Sequence, residues 1–179
     1  QTVPSLYQRV VQPDRNDPTK ITPILAESWQ ADPAAKTLTI KLKSDAKFAS
    51  GNPVRPEDVI YSYVRAVTLN KSGAFILNVL GWQPENIASQ LKKIDDHTVQ
   101  VQWSADVSPA LALNILSTPI ASIVDEKLVA PNAKNNDFGN EWLKMHSAGS
   151  GAFKMRTYQP HQAIVMEANA SSPTGAPKL

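Results

Sequence analysis

The sequence predicts a mixed α/β layer structure in which hairpins are interleaved with helices, without a regular βαβ alternation. Three observations lead there. Residues 37–43 alternate apolar and polar side chains with period two. A proline-started amphipathic stretch follows at 56–67. Two further alternating pairs close around short turns at 95–97 and 159–161.

The elements follow in chain order. Leu38, Ile40 and Leu42 alternate with Thr37, Thr39, Lys41 and Lys43, as a strand with one buried face requires. Asp32 and Pro33 stand in turn-forming order before it, so 28–31 and 37–43 are expected to pair antiparallel. Gly51 and Pro53 then break the chain. Pro56 fits a first helical position, and Glu57 and Asp58 in the first turn complement the positive helix end. Val59, Ile60, Tyr63, Val64 and Val67 form one helical stripe, with Glu57, Ser62 and Arg65 off it.

Short helices are expected in "GAFILNVLGW" and "PENIASQL", and helices opening near proline in "SPALALNILS" and "PIASIVDEKLV". Between them a hairpin across "DDH" turns Val99, Val101 and Trp103 inward. The Asn-rich "NAKNNDFGN" reads as a loop before a short helix "EWLKM". A last hairpin pairs "AFKMRTY" with "QAIVMEA". Residues 169–179, small and rich in proline, read as a surface strap or an inter-lobe linker.

The 179 residues suffice for one domain, and 42% hydrophobic with 19% charged residues places the chain among globular domains. A formal charge of +2 supplies no dense basic stripe, so neither nucleic acid nor an anionic bilayer is expected as a partner. The chain has no cysteine, which excludes disulfides, thiolate metal sites and a Cys nucleophile. No apolar run approaches the ~20 residues that span a bilayer, so no direct membrane insertion is expected. "QTVPSLYQRV" lacks the basic and apolar regions of a signal peptide, so any targeting segment is expected to be absent from this sequence.

Chemistry-bearing residues are sparse. His97, His146 and His161 are isolated from one another and match no ligand spacing, so no metal and no cofactor is expected. Asp95 and Asp96 are neighbours in a turn, where side chains diverge more often than they converge. Gly149, Ser150 and Gly151 form the one glycine cluster that invites a ligand, because backbone amides there can approach a bound group. The cluster is followed by no Lys-Ser/Thr and precedes a strand, which excludes a P-loop. A tight structural turn is the competing assignment. Without convergent titratable groups, binding is favoured over catalysis.

"ITPILAESW" followed by "TLTIKLKSDAKFASGNPVRPEDVIYSYVRA" resembles the best-marked segment of the family 5 extracellular solute-binding proteins of bacterial ABC importers. Pro23, Leu25 to Trp29, Leu38 to Lys43, Lys47, Phe48, Gly51, Pro53 and Glu57 to Val59 fall in register with the family pattern. "IDDHTVQVQW", "SAGSGAFKMRTYQPHQAIVMEAN" and "GAPKL" are similar to its later segments. The chain departs from the pattern at Ala49-Ser50, at Arg55 in place of a capping Thr, and at Ala152-Phe153.

The resemblance implies a partial N-terminal lobe, residues 1–179, of a two-lobed periplasmic-binding-protein type II-like fold, built mostly of antiparallel hairpins packed with helices. It implies capture of peptides, oligopeptide or dipeptide, with a nickel chelate or an opine as alternative solutes. It further implies a membrane permease as partner and a periplasmic location. Phe75, Trp82 and Gly149 to Gly151 are the ligand contacts expected from this lobe, with core packing as the competing role of either aromatic. Rivals from other classes are a small hydrolase using Asp95 or Asp96 with His97, and a protein-docking module.

Overall fold

A computed structural model describes residues 3–177. The chain opens with α1 (Val3–Leu6), then β1 (Val11–Pro13), which pairs antiparallel with β2 (Ile21–Pro23). β3 (Ala26–Asp32) and β4 (Thr37–Leu42) form the expected antiparallel hairpin. Asp32 holds its turn, with Oδ1 accepting the backbone N–H groups of Ala34 and Ala35, both at 3.0 Å.

The period-two pattern decides which face is buried. Leu38, Ile40 and Leu42 are sealed. β5 (Leu91–Asp95) and β6 (Thr98–Gln102) form the second hairpin, and β6 pairs antiparallel with β4, giving the sheet order β3-β4-β6-β5. Val99, Val101 and Trp103 are buried on the same side as predicted. β3 and β5 are the edges, and each breaks its register with a bulge-like irregularity, at Ala26/Ser28 and Lys93/Asp95.

Helix α2 (Pro56–Leu69) covers the sheet. Val59, Tyr63 and Val67 are buried in one core with Leu38, Ile40, Val99 and Val101. Each such side chain contributes about 1.5–3 kcal/mol when fully buried. Ile60 and Val64 pack at the margin of that core. Arg55 has no oxygen to cap the helix. Instead Asp58 reaches back, and its Oδ2 accepts the Arg55 backbone N–H at 2.8 Å.

Two expectations are corrected. Ser62 lies off the apolar stripe yet is buried, because it bridges two segments: its hydroxyl donates to the Asp58 carbonyl at 2.6 Å and accepts the Val124 N–H at 2.9 Å. "PIASIVDEKLV" is not one helix. A 3₁₀ turn at Pro119–Ala121 gives way to extended backbone, and α5 (Glu126–Val129) starts afresh under the cap of Asp125. The extended backbone is held from afar, with Ile123 N–H donating to the Gln8 carbonyl at 2.9 Å and Asp125 N–H to the Ala148 carbonyl at 2.9 Å.

The remaining elements match the sequence reading. They are α3 (Ala74–Asn78), a 3₁₀ turn at Ile87–Gln90, α4 (Pro109–Leu116), α6 (Asn140–Leu143), and the hairpin of β7 (Phe153–Gln159) with β8 (Ala163–Ala168). This last ribbon forms a separate two-stranded sheet, and Ile164, Val165 and Met166 on it are exposed. The following residues fold back, with Asn169 N–H donating to the Ala152 carbonyl at 2.8 Å. Lys178 and Leu179 lie outside the described residues.

Candidate functional site

The glycine cluster is a seam joining four distant parts of the chain. Gly151 N–H donates to the Leu6 carbonyl at 3.0 Å, and Ala49 N–H donates to the Gly149 carbonyl at 3.0 Å. Between them the buried Ser150 donates its hydroxyl to Gln8 Oε1 at 3.1 Å. Gln8 passes the link on, its amide donating to the Thr174 hydroxyl at 3.0 Å, while Asn169 Nδ2 donates to the Gly151 carbonyl at 2.8 Å.

Glycine is required here for packing. A Cβ on Gly149 would lie 2.7 Å from Tyr7 Cδ1 and run into the Leu6 carbonyl oxygen; one on Gly151 would meet the Ser5 and Leu6 carbonyl groups. The amides that the sequence offered to a ligand are therefore turned, at Gly151, toward the chain's own N-terminal segment.

The two aromatics separate. Phe75 on α3 is 70% exposed, available to whatever approaches that face. Trp82 is fully buried: its indole N–H donates to the Gln102 carbonyl at 2.7 Å, and its ring lies 5.7 Å from that of Tyr63. Trp82 therefore takes the competing role, core packing, because no face of its ring reaches the surface.

His97, His146 and His161 are exposed and lie on separate elements, and among the described residues no group of three or more His, Asp or Glu side chains could hold a metal ion. Asp95 and Asp96 diverge. Asp95 Oδ1 accepts the His97 backbone N–H at 2.8 Å, and Asp96 pairs with Lys93 at 3.2 Å. This turn brings no acid and base together.

Above the seam lies a groove of about 780 Å³, within the range of small-ligand sites. Its walls come from Pro4, Ser5 and Gln8, the 12–16 turn, Thr22 and Ile24, Ala152 and Phe153, and residues 174–177. Asp14 accepts the N–H groups of Asn16 at 2.8 Å and Asp17 at 3.0 Å and the Thr22 hydroxyl at 3.0 Å. Those bonds hold its carboxyl below the usual carboxylate range, so it stays ionised. Beside it Arg15 makes no ion pair among the described residues. The groove thus offers one anion and one cation. Sequence reasoning missed it, since its walls stand some 150 positions apart and only the glycine cluster beneath them gave a signal.

Residues 20–179 match the family described as "Bacterial extracellular solute-binding proteins, family 5 Middle". The chain is 31% identical over 181 residues to the "Probable D,D-dipeptide-binding periplasmic protein DdpA" of Escherichia coli, covering 99% of this chain and 33% of that protein. It is 30% identical over 157 residues to the "Periplasmic oligopeptide-binding protein OppA" of the same organism, covering 81% of this chain and 27% of that protein. Among solved structures, MoaA from A. tumefacien R10, in complex with mannopinic acid, superimposes with a TM-score of 0.76 at 25% identity, covering 99% of this chain and 34% of that one. The chain spans about a third of the length of the relatives it matches.

Proposed function

Because this chain belongs to the bacterial extracellular solute-binding proteins of family 5, we propose that it forms part of the first lobe of a two-lobed receptor that captures peptides for an ABC importer. The observation that carries this reading is the family match across residues 20–179. The relatives named as dipeptide- and oligopeptide-binding direct the solute class toward peptides.

The groove over the glycine seam is the half-site this lobe would contribute. Its mixed polar and apolar walls and its Asp14 and Arg15 charges suit an extended zwitterion held through backbone hydrogen bonds. Gly149, Ser150 and Gly151 act by fixing the groove's floor, and Phe75 is a surface contact for a ligand or a closing lobe. The exposed apolar side chains of β8, Ile164, Val165 and Met166, suit burial against a second lobe. The receptor works in the periplasm, hands its solute to a membrane permease and catalyses nothing. Among the described residues no helix is long and apolar enough to cross a membrane.

Calorimetric titration with di- to pentapeptides tests this, comparing the 179-residue chain with a protein of the relatives' full length. The long form should bind. The short chain, leaving one side of the ligand in water, should bind about a thousandfold more weakly, a loss of ~4 kcal/mol. Equal affinity would overturn the two-lobe mechanism. Titration with mannopinic acid tests the opine alternative, which the MoaA superposition favours.

A further inference from the structure

Beside the sheet-facing stripe of α2, Ser62, Arg65, Ala66 and Leu69 line a second cavity, of about 260 Å³. They recur at helical spacing and so share one face. Ile120 and Leu143 close the far wall, and Lys71 stands at the helix end. None of the groove's residues lies here.

The charge balance of this cavity is one-sided. No carboxylate lines it, and among the described residues neither Arg65 nor Lys71 makes an ion pair. Arg65 donates Nε–H to the Phe138 carbonyl at 3.0 Å, which is the one hydrogen bond its side chain makes to any described residue. Its terminal N–H groups are not sealed from solvent, so they are free to meet an incoming acceptor. Asp137, the carboxylate whose charge reaches Arg65, has its oxygens engaged by the N–H groups of Lys134, Gly139 and Glu141.

The guanidinium is also held in place. The loop that supplies the Phe138 carbonyl is set by left-handed backbone at Asn135, Asn136, Phe138 and Gly139. Burial lowers the Arg65 pKa, so its charge goes partly uncompensated in the chain as it stands. An anion with an apolar body would compensate the charge and cover the Ala66, Leu69, Ile120 and Leu143 walls at once.

We propose that this cavity is a binding site for a compact monocarboxylate with an aliphatic or aromatic body, its carboxylate on Arg65 and Lys71. A volume near the ~300 Å³ floor of small-ligand pockets fits such a molecule and excludes an extended peptide. The proposal is independent of the peptide-binding reading, since it draws on different residues.

Nitrogen-15 NMR titration of the 179-residue chain tests it, with 4-methylpentanoate and benzoate as probes and inorganic phosphate and benzylamine as controls. The carboxylates should give saturable shifts confined to residues 62–71 and 119–124, and the controls should not. Arg65→Gln should weaken the carboxylates about tenfold, the size of one charge-assisted hydrogen bond. Should that variant fail to fold, Lys71→Gln, on an exposed side chain, should still weaken binding several-fold. Leu69→Trp, which keeps both cations and fills the cavity, should abolish it. Absence of saturable shifts at millimolar concentrations, phosphate binding as well as benzoate, or undiminished binding in Leu69→Trp would each overturn the proposal.

Discussion

Asp58 Oδ1 accepts the backbone N–H of Glu126 at 2.9 Å, so a side chain in the first turn of one helix supplies a cap for another 68 positions later. The same carboxyl holds the Arg55 side chain, whose Nη2 also reaches Glu126 at 3.1 Å. Asp58 is wholly buried. Asp58→Ala should leave Arg55 and two N–H groups without their acceptor and cost about 3 kcal/mol. Urea denaturation reads this out. A change within ~0.5 kcal/mol, the range of surface substitutions, would show that the helices dock without it.

Asp137 should contribute to acid sensitivity, as should the other carboxyls held below their ordinary pKa, Asp14 among them. Hydrogen bonds to the backbone N–H groups of Glu141, Lys134 and Gly139 lower the Asp137 carboxyl pKa from the ordinary 3.8. Below that value the unfolded chain binds more protons here than the folded one, so the stabilisation is present above it and lost as pH falls. Denaturation midpoints of wild type and Asp137→Asn should differ at about pH 6 and converge toward about pH 3. Asp58 and Glu126, which burial pushes upward, contribute with the opposite sign, favouring the fold as pH falls, and should not alter that difference.

Two glycines should respond differently to alanine. Gly151→Ala drives a methyl into the Ser5 and Leu6 carbonyl groups, where nothing can rotate away, and should cost about 1–3 kcal/mol. Gly175 has open space around it and a φ of 88°, so alanine there should cost only the backbone strain, about 1 kcal/mol. Thermal melts of both variants give the ranking. Equal losses would mean that the seam has room to yield.

The aromatics offer the cleanest contrast. Trp82→Ala should cost about 3–5 kcal/mol, whereas Phe75→Ala should fall within ~0.5 kcal/mol. Denaturant titration checks both. A large loss from Phe75→Ala would place that ring in a contact the described residues do not make.

What could be read from sequence follows the range of the forces involved. Leu38, Ile40 and Leu42 declare their face through spacing alone, and Pro56 marks its helix start through fixed φ. Ser122 to Asp125 could not be read so, because Gln8, Ser62 and Ala148 hold them from more than twenty positions away. The same applies to Arg65. A helical wheel turns it outward, and only the returning loop at Phe138 encloses it. The glycine cluster was visible as glycine, but what it packs against was not.

The four-stranded sheet and the β7–β8 ribbon also differ in how they meet other molecules. The edges of the four-stranded sheet are interrupted by register breaks, and β5 carries Lys92 and Lys93, features that discourage another chain from zipping on. The β7–β8 ribbon also breaks its register, at Met155/Thr157, but β8 carries no charge through Ile164, Val165 and Met166, three consecutive exposed apolar residues before Glu167. In concentrated solution the ribbon is therefore where aggregation of this chain should begin, and a single lysine placed at Val165 is the gatekeeper that would suppress it.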